Sequence, residues 1–161
     1  MKIGVISDTH GEIDSTQRAL ELLDGQKTDL MIHCGDIGLE VIPLFRGRRV
    51  HFVNGNVDDP GRLREAISRS EHAFHLNLGS LEVEGRRVAF LHGDDIQLLH
   101  QTIHSGQWDL VCHGHTHAFS STRHHETLVL NPGALSRTDE PSVGVVEMPS
   151  MAVTKIGVDQ R

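Results

Sequence analysis

The chain has 161 residues, a formal net charge of −7 and a hydrophobic content of 37%. That is enough for one domain with a sizeable core, which excludes a wholly disordered polypeptide. The acidic balance argues against wrapping a nucleic-acid backbone. Small phosphate esters stay open, because bound divalent cations would reverse the local sign. Thirteen histidines stand beside no tyrosine and one tryptophan. Cys34 and Cys112 each lie inside an apolar run, without the spacing of a zinc ribbon, and read as buried reduced thiols. The opening apolar run is too short for a cleavable leader, and no stretch reaches the length of a membrane span. A reducing cytoplasm is the expected location.

In chain order, Lys2 to Ser7 reads as a buried strand. Asp14-Ser15-Thr16-Gln17 has a capping-box pattern; Thr16, Leu20 and Leu23 follow at helical spacing, and Gly25 can stop the helix. A second strand is expected from Asp29 to Cys34, a short helix from Gly38 to Leu44 and a third strand from Val50 to Val53. Asp59-Pro60 reads as an N-cap and first helical position, with Leu63 and Ile67 on the buried face. His72 to Leu78 and Ser80 to Glu84 are short strand candidates, and Glu84-Gly85-Arg86-Arg87 turns into a strand from Val88 to Leu91. A helix from Asp94 to His104 would bury Ile96, Leu99 and Ile103. Leu110 to His113, Thr127 to Leu130, Ser142 to Glu147 and Met151 to Ile156 complete the strands. Alternation of β and α early, with hairpins late, points to an α/β fold of two packed sheets flanked by helices in one domain over 1–161.

Five of the apolar runs end in residues that can hold a metal: Asp8 and His10, Asp36, Asn56, His92, and His115 and His117. In α/β sheets, ligands bind outside the carboxyl ends of strands, so these side chains should converge on one rim. Asp8 and His10 are two apart, as are His115 and His117; an extended segment would point each pair the same way. Asp36 can bridge two cations through its two oxygens, and the Asn56 amide can also donate to a phosphate oxygen. Seven candidate ligands exceed the four of one tetrahedral ion and suit two. Mixed oxygen and imidazole donors without thiolate suit Mn, Fe, Ni, Co or Zn, with Mn²⁺ the first choice.

The order Asp8-x-His10, Gly35-Asp36, Gly55-Asn56, His92-Gly93, Gly114-His115-x-His117 resembles the calcineurin-like metallophosphoesterases. The short length and the Gly55-Asn56-Val57-Asp58 variant are most similar to the small YfcE-type phosphodiesterases. The resemblance implies a four-layer αββα sandwich, with two mixed β-sheets flanked by helices and a binuclear metal centre. It implies that Asp8, His10 and His117 hold one ion and Asn56, His92 and His115 the other, with Asp36 bridging and a water or hydroxide between the ions as nucleophile. Larger members carry a histidine directly after the middle asparagine, to protonate the leaving oxygen. Here that position is Val57, which cannot transfer a proton, so esters with good leaving groups are expected. Asp58 matches the family's acidic position and reads as a group that orients a ligand histidine.

His33 and His113 read as hydrogen-bonded core or supporting histidines. His51, His72, His75, His100, His104, His124 and His125 have no ligand-spaced partner and read as surface or hydrogen-bonded groups, with His75 or His124 the long-shot replacements for the missing acid. Arg46 to Arg49 reads as a solvated turn, Gly85-Arg86-Arg87 as a hairpin tip and Asn131-Pro132-Gly133 as a turn near the site, followed by an Arg137 within reach of a phosphate. The leading function is a metal-dependent phosphodiesterase acting on a small phosphate ester, with no membrane partner. The alternatives are a phosphomonoesterase or nucleotide phosphatase, and a non-catalytic scaffold such as the small subunit of the retromer coat. A scaffold should have lost ligand residues, and this chain keeps the full set.

Overall fold

A computed structural model describes residues 1–159. The elements are β1 (Lys2–Ile6), α1 (Ile13–Gly25), β2 (Leu30–His33), a 3₁₀ helix (Leu39–Phe45), β3 (Val50–Phe52), α2 (Pro60–Ser68), β4 (Ala73–Phe74), β5 (Leu78–Val83), β6 (Arg86–Leu91), α3 (Ile96–His104), β7 (Leu110–Cys112), β8 (Phe119–His124), β9 (Thr127–Pro132), β10 (Ser142–Glu147) and β11 (Ala152–Gly157). They form a six-stranded sheet, β11-β10-β1-β2-β3-β4, and a five-stranded sheet, β5-β6-β7-β9-β8. Both are mixed: β1, β2, β3 and β4 are parallel, as are β6, β7 and β9, while β10 and β11 add antiparallel pairings on one side of the first sheet and β5 and β8 on both sides of the second.

Side-chain alternation sorts the apolar runs into three cores. Ile3, Val5, Leu30, Ile32, Val88, Phe90, Leu110, Cys112, Leu128 and Leu130 fill the space between the sheets. Ile6, Met31, Val50 and Phe52 face the other way, against α1, the 3₁₀ helix and α2. Ala89, Leu91, Val111 and Val129 pack under α3. Central strands buried on both faces explain why these runs are apolar throughout. The expected four-layer αββα arrangement is the one observed. Among the described residues, no helix is long and apolar enough to cross a membrane.

Several local expectations need correction. Helix α1 is capped at Glu12 without a side-chain bond, so Asp14 sits inside the first turn and forms no capping box. Asp59 does cap α2, accepting from the Arg62 amide. The strand expected over His72 to Leu78 shrinks to Ala73–Phe74. Ile96 is 68% exposed, whereas Ile103 is buried and Leu99 packs against the same core as expected, and Thr102 joins that buried face. Strand β8 had no expectation at all, because an edge strand exposed along almost its whole length shows no apolar run.

His33 is the polar member of the helix-side core. Its ring stacks on Phe52 and meets Phe45 edge-on. Gly35 N–H donates to its Nδ1 at 3.2 Å. The Thr9 hydroxyl spends its own proton on the Ile37 carbonyl, so His33 Nε2–H donates to Thr9 Oγ1 at 3.0 Å. The neutral ring is thus fixed in one tautomer. Burial, followed by the neighbouring His92, lowers its pKa from 6.5 to about 3. The unfolded chain therefore takes up this proton first as pH falls. Stability is complete above pH 6.5 and is lost as pH drops toward 3, by up to about 1.4 kcal/mol per pH unit from this group. Urea denaturation of chelator-treated protein over that window is expected to show the slope. His33→Gln, which keeps a donor and an acceptor, should flatten it; an unchanged slope would place the acid sensitivity elsewhere.

Candidate metal centre

All the predicted ligands follow strand ends on one rim: Asp8 and His10 after β1, Asp36 after β2, Asn56 after β3, His92 after β6, His115 and His117 after β7. The backbone there is not extended. Asp8, His10, Asp36, His115 and His117 have φ of 54°, 46°, 52°, 70° and 61°, in the left-handed region. The pairs at i, i+2 therefore converge because each member sits in a left-handed turn, which corrects the extended-segment reading. Such conformations cost of order 1–3 kcal/mol each and persist where the surroundings dictate them.

Two donor groups result, each with its ligand atoms within 4.8 Å of one another: Asp8, His10 and His117, and Asp36, His92 and His115. In the first, Asp8 is fully buried. Its Oδ2 accepts from Ser7 Oγ at 2.6 Å and from His115 N at 3.1 Å. Its Oδ1 has no hydrogen-bond partner, and neither has His10 Nε2, although both are buried. His117 Nε2 lies 3.1 Å from that Oδ1, and His10 Nε2 3.7 Å from it. His117 Nδ1 faces the Arg137 carbonyl at 3.3 Å, which leaves Nε2 free for a ligand. Burial lowers the pKa of His10, against the pull of Asp36 and Asp8, so its ring favours the neutral form that binds metal.

In the second group, His92 Nδ1 donates to the Cys34 carbonyl at 2.7 Å. Its Nε2 then faces Asn56 Oδ1 at 3.0 Å, Asp36 Oδ2 at 3.2 Å and His115 Nδ1 at 3.3 Å. So many lone pairs repel one another unless a cation or proton lies among them. Burial disfavours a proton on His92, but the Asp36 carboxylate outweighs it and raises the pKa. A proton and a metal compete for that same atom. Asp36 Oδ2 also lies 3.7 Å from His10 Nε2, between the two groups, while Oδ1 accepts from Val57 N at 3.1 Å. The orphaned atoms and the donor chemistry fit two divalent ions.

Close packing holds the loops. A Cβ on Gly55 would run into the Asp36 carboxylate and amide nitrogen, and one on Gly114 would run into Ser7 Oγ. Among the described residues the Asp58 carboxylate hydrogen-bonds main-chain amides and no histidine, which corrects the sequence reading. Its carboxylate accepts from Gly55 N at 2.8 Å, Ile37 N at 3.0 Å and Gly38 N at 3.4 Å, so it ties the Asp36 loop to the Asn56 loop. Burial raises its pKa against those amides. Asn131 does the same for the last loop: its amide donates to the Gly114 carbonyl and Thr116 Oγ1, and its Oδ1 accepts from Gly133 N. The sequence marks Asp58 and the Asn131 turn as near the site but not these partners, most of which are main-chain groups. Ser7 could have been noticed, as a hydroxyl preceding the first ligand.

A cleft of about 350 Å³ opens beside Asn56 and His92, lined also by Asn54, Asn77, Asp94 and Asp95. Sequence reasoning missed these last four. His75 pairs with His51, Nε2 to Nδ1 at 2.9 Å, and His124 meets His104; neither lines the cleft, so neither replaces the missing acid. His113 bonds the Gly114 carbonyl through Nδ1, in a supporting place.

The calcineurin-like phosphoesterase superfamily domain matches residues 1–151. The phosphodiesterase MJ0936 of Methanocaldococcus jannaschii is 30% identical over 154 residues, 91% of this chain and 93% of that one. A structure of an archaeal phosphodiesterase superposes with a TM-score of 0.86 at 28% identity, covering 98% of this chain and 100% of the other. YfcE, a phosphoesterase from E. coli, superposes at 0.69 with 18% identity, over 99% and 100% of the two chains, which speaks to the fold alone. A match that runs from the first ligand loop through the last, on a shared fold, places this chain in the calcineurin-like phosphoesterase superfamily.

Proposed function

We propose that the chain is a metal-dependent phosphodiesterase that hydrolyses small phosphate esters with two divalent cations, Mn²⁺ first among Mn, Fe, Ni, Co and Zn. The observation that carries this is the pair of buried atoms without a hydrogen-bond partner, Asp8 Oδ1 and His10 Nε2, which lie 3.7 Å apart, with Asp36 Oδ2 3.7 Å from the His10 nitrogen. Asp8, His10 and His117 would hold one ion, Asn56, His92 and His115 the other, with Asp36 shared. Bound there, the cations supply a nucleophile from water at neutral pH and offset charge on the phosphoryl oxygens. Asp36 positions both halves of the site, and Val57 N–H keeps its carboxylate turned inward. The Asn56 amide, at the mouth of the cleft, can donate its N–H to a phosphate oxygen. Asp58 is a positioning residue, acting through the two loops it joins.

Val57 follows Asn56 directly, is 58% exposed and has no proton to give. Leaving-group protonation is typically worth roughly 10²–10⁴-fold. Asp94 and Asp95 on the cleft wall disfavour a dianionic monoester further. A singly charged diester with a good leaving group suits both features.

With Mn²⁺, an aryl phosphate diester is expected to turn over at least about tenfold faster than the matching monoester. Asp36→Asn should abolish turnover, whereas Asp58→Asn should reduce it by about 10–100-fold. Full activity in Asp36→Asn would remove the bridging role. Faster monoester than diester turnover would favour the phosphatase reading, and no turnover with any divalent ion would favour a scaffold. Gly55→Ala should push Asp36 out of place and weaken Mn²⁺ binding by about 10–100-fold, as read by equilibrium dialysis. Val57→His should raise turnover of esters with poor leaving groups by up to about 10²-fold, while leaving good ones nearly unchanged.

A further inference from the structure

Three histidines outside this centre remain unexplained. His100 and His104 lie one turn apart on α3, so their side chains share a face. His124 ends β8, the edge strand of the five-stranded sheet. The His100 and His104 rings are 5.8 Å apart and the His104 and His124 rings 5.5 Å, both edge to face. The ring pairs of the centre show the same spacing, 5.5 Å for His10 and His117 and 5.1 Å for His92 and His115. All three rings are exposed, and among the described residues none has a hydrogen bond or a carboxylate partner. That sets them apart from the His51 and His75 pair, whose nitrogens bond each other.

We propose that His100, His104 and His124 form a third, mononuclear site for a borderline transition cation, Ni²⁺, Cu²⁺ or Zn²⁺, bridging α3 to β8. Three neutral imidazoles with water completing the shell are the donor set such ions favour over Mg²⁺ or Ca²⁺. As placed, their nitrogens are not gathered within 4.8 Å as those of the two groups of the centre are, so binding would draw them together by rotation of the exposed side chains. An ion here would tie down the helix whose opening residues, Asp95 and Leu98, wall the cleft. His124 lies 20 positions beyond His104 and 24 beyond His100, so the cross-link would join two elements distant in sequence.

The test is Ni²⁺ binding by equilibrium dialysis and thermal unfolding, on Mn²⁺-loaded protein, for wild type, His100→Gln, His104→Gln and His124→Gln. The wild type is expected to take up one Ni²⁺ that leaves Mn²⁺ content unchanged, and to unfold at a higher temperature with it. Each substitution should weaken that uptake tenfold or more and remove the thermal gain, with diester hydrolysis in Mn²⁺ unaltered. Equal Ni²⁺ uptake in wild type and all three variants, or no such uptake in the wild type, would overturn the site. Loss in the two helix variants but not in His124→Gln would overturn the bridge between α3 and β8. Ni²⁺ entering only by displacing Mn²⁺ would overturn it as well.

Discussion

A carboxylate with no exposure to solvent, Asp8, binds the rim of this molecule together. Its amide donates to the Gly35 carbonyl, its carbonyl accepts from Leu135 and Ser136, and its Oδ2 accepts from Ser7 and from the amide of His115. The loops after β1, β2, β7 and β9 thus meet at one residue. A buried charge is tolerated only when it is paired and hydrogen-bonded. Here one oxygen is satisfied by hydrogen bonds, while the other, Oδ1, accepts none and faces the imidazole nitrogens of His117 and His10. In the proposed two-metal reading, a divalent cation set among these atoms would meet that demand.

The sheets make the meeting possible. Parallel β1, β2 and β3 in one sheet and β6 and β7 in the other deliver their carboxyl ends to the same edge. From there, left-handed turns at five of the ligands swing the side chains inward. Glycines allow the loops to close: at Gly55 and Gly114 any side chain would strike the Asp36 or Ser7 atoms behind the ligands. Strain in the turns and tight packing behind them are two sides of one arrangement.

The strand ends and the ligand set could be read in the sequence because central strands are continuous apolar runs, and because acid, amide and imidazole at their ends are conspicuous. The four layers followed once the resemblance was added. What was not legible acts through the main chain. The Asp58 carboxylate gathers the Gly55, Ile37 and Gly38 amides, and the Cys34 and Arg137 carbonyls set the rings of His92 and His117. A carbonyl has no residue identity to notice. Strand β8 escaped because its exposed residues carry no period, and Ile96 misled because an apolar residue in the first turn of a helix need not face the core.

Whether two cations share Asp36 is decided by anomalous diffraction from crystals grown with Mn²⁺. Two Mn peaks are expected at the strand ends, about 3.5–4 Å apart, with an Asp36 oxygen against each or one oxygen between them. A single peak there, or a second peak out of reach of Asp36, would contradict that sharing.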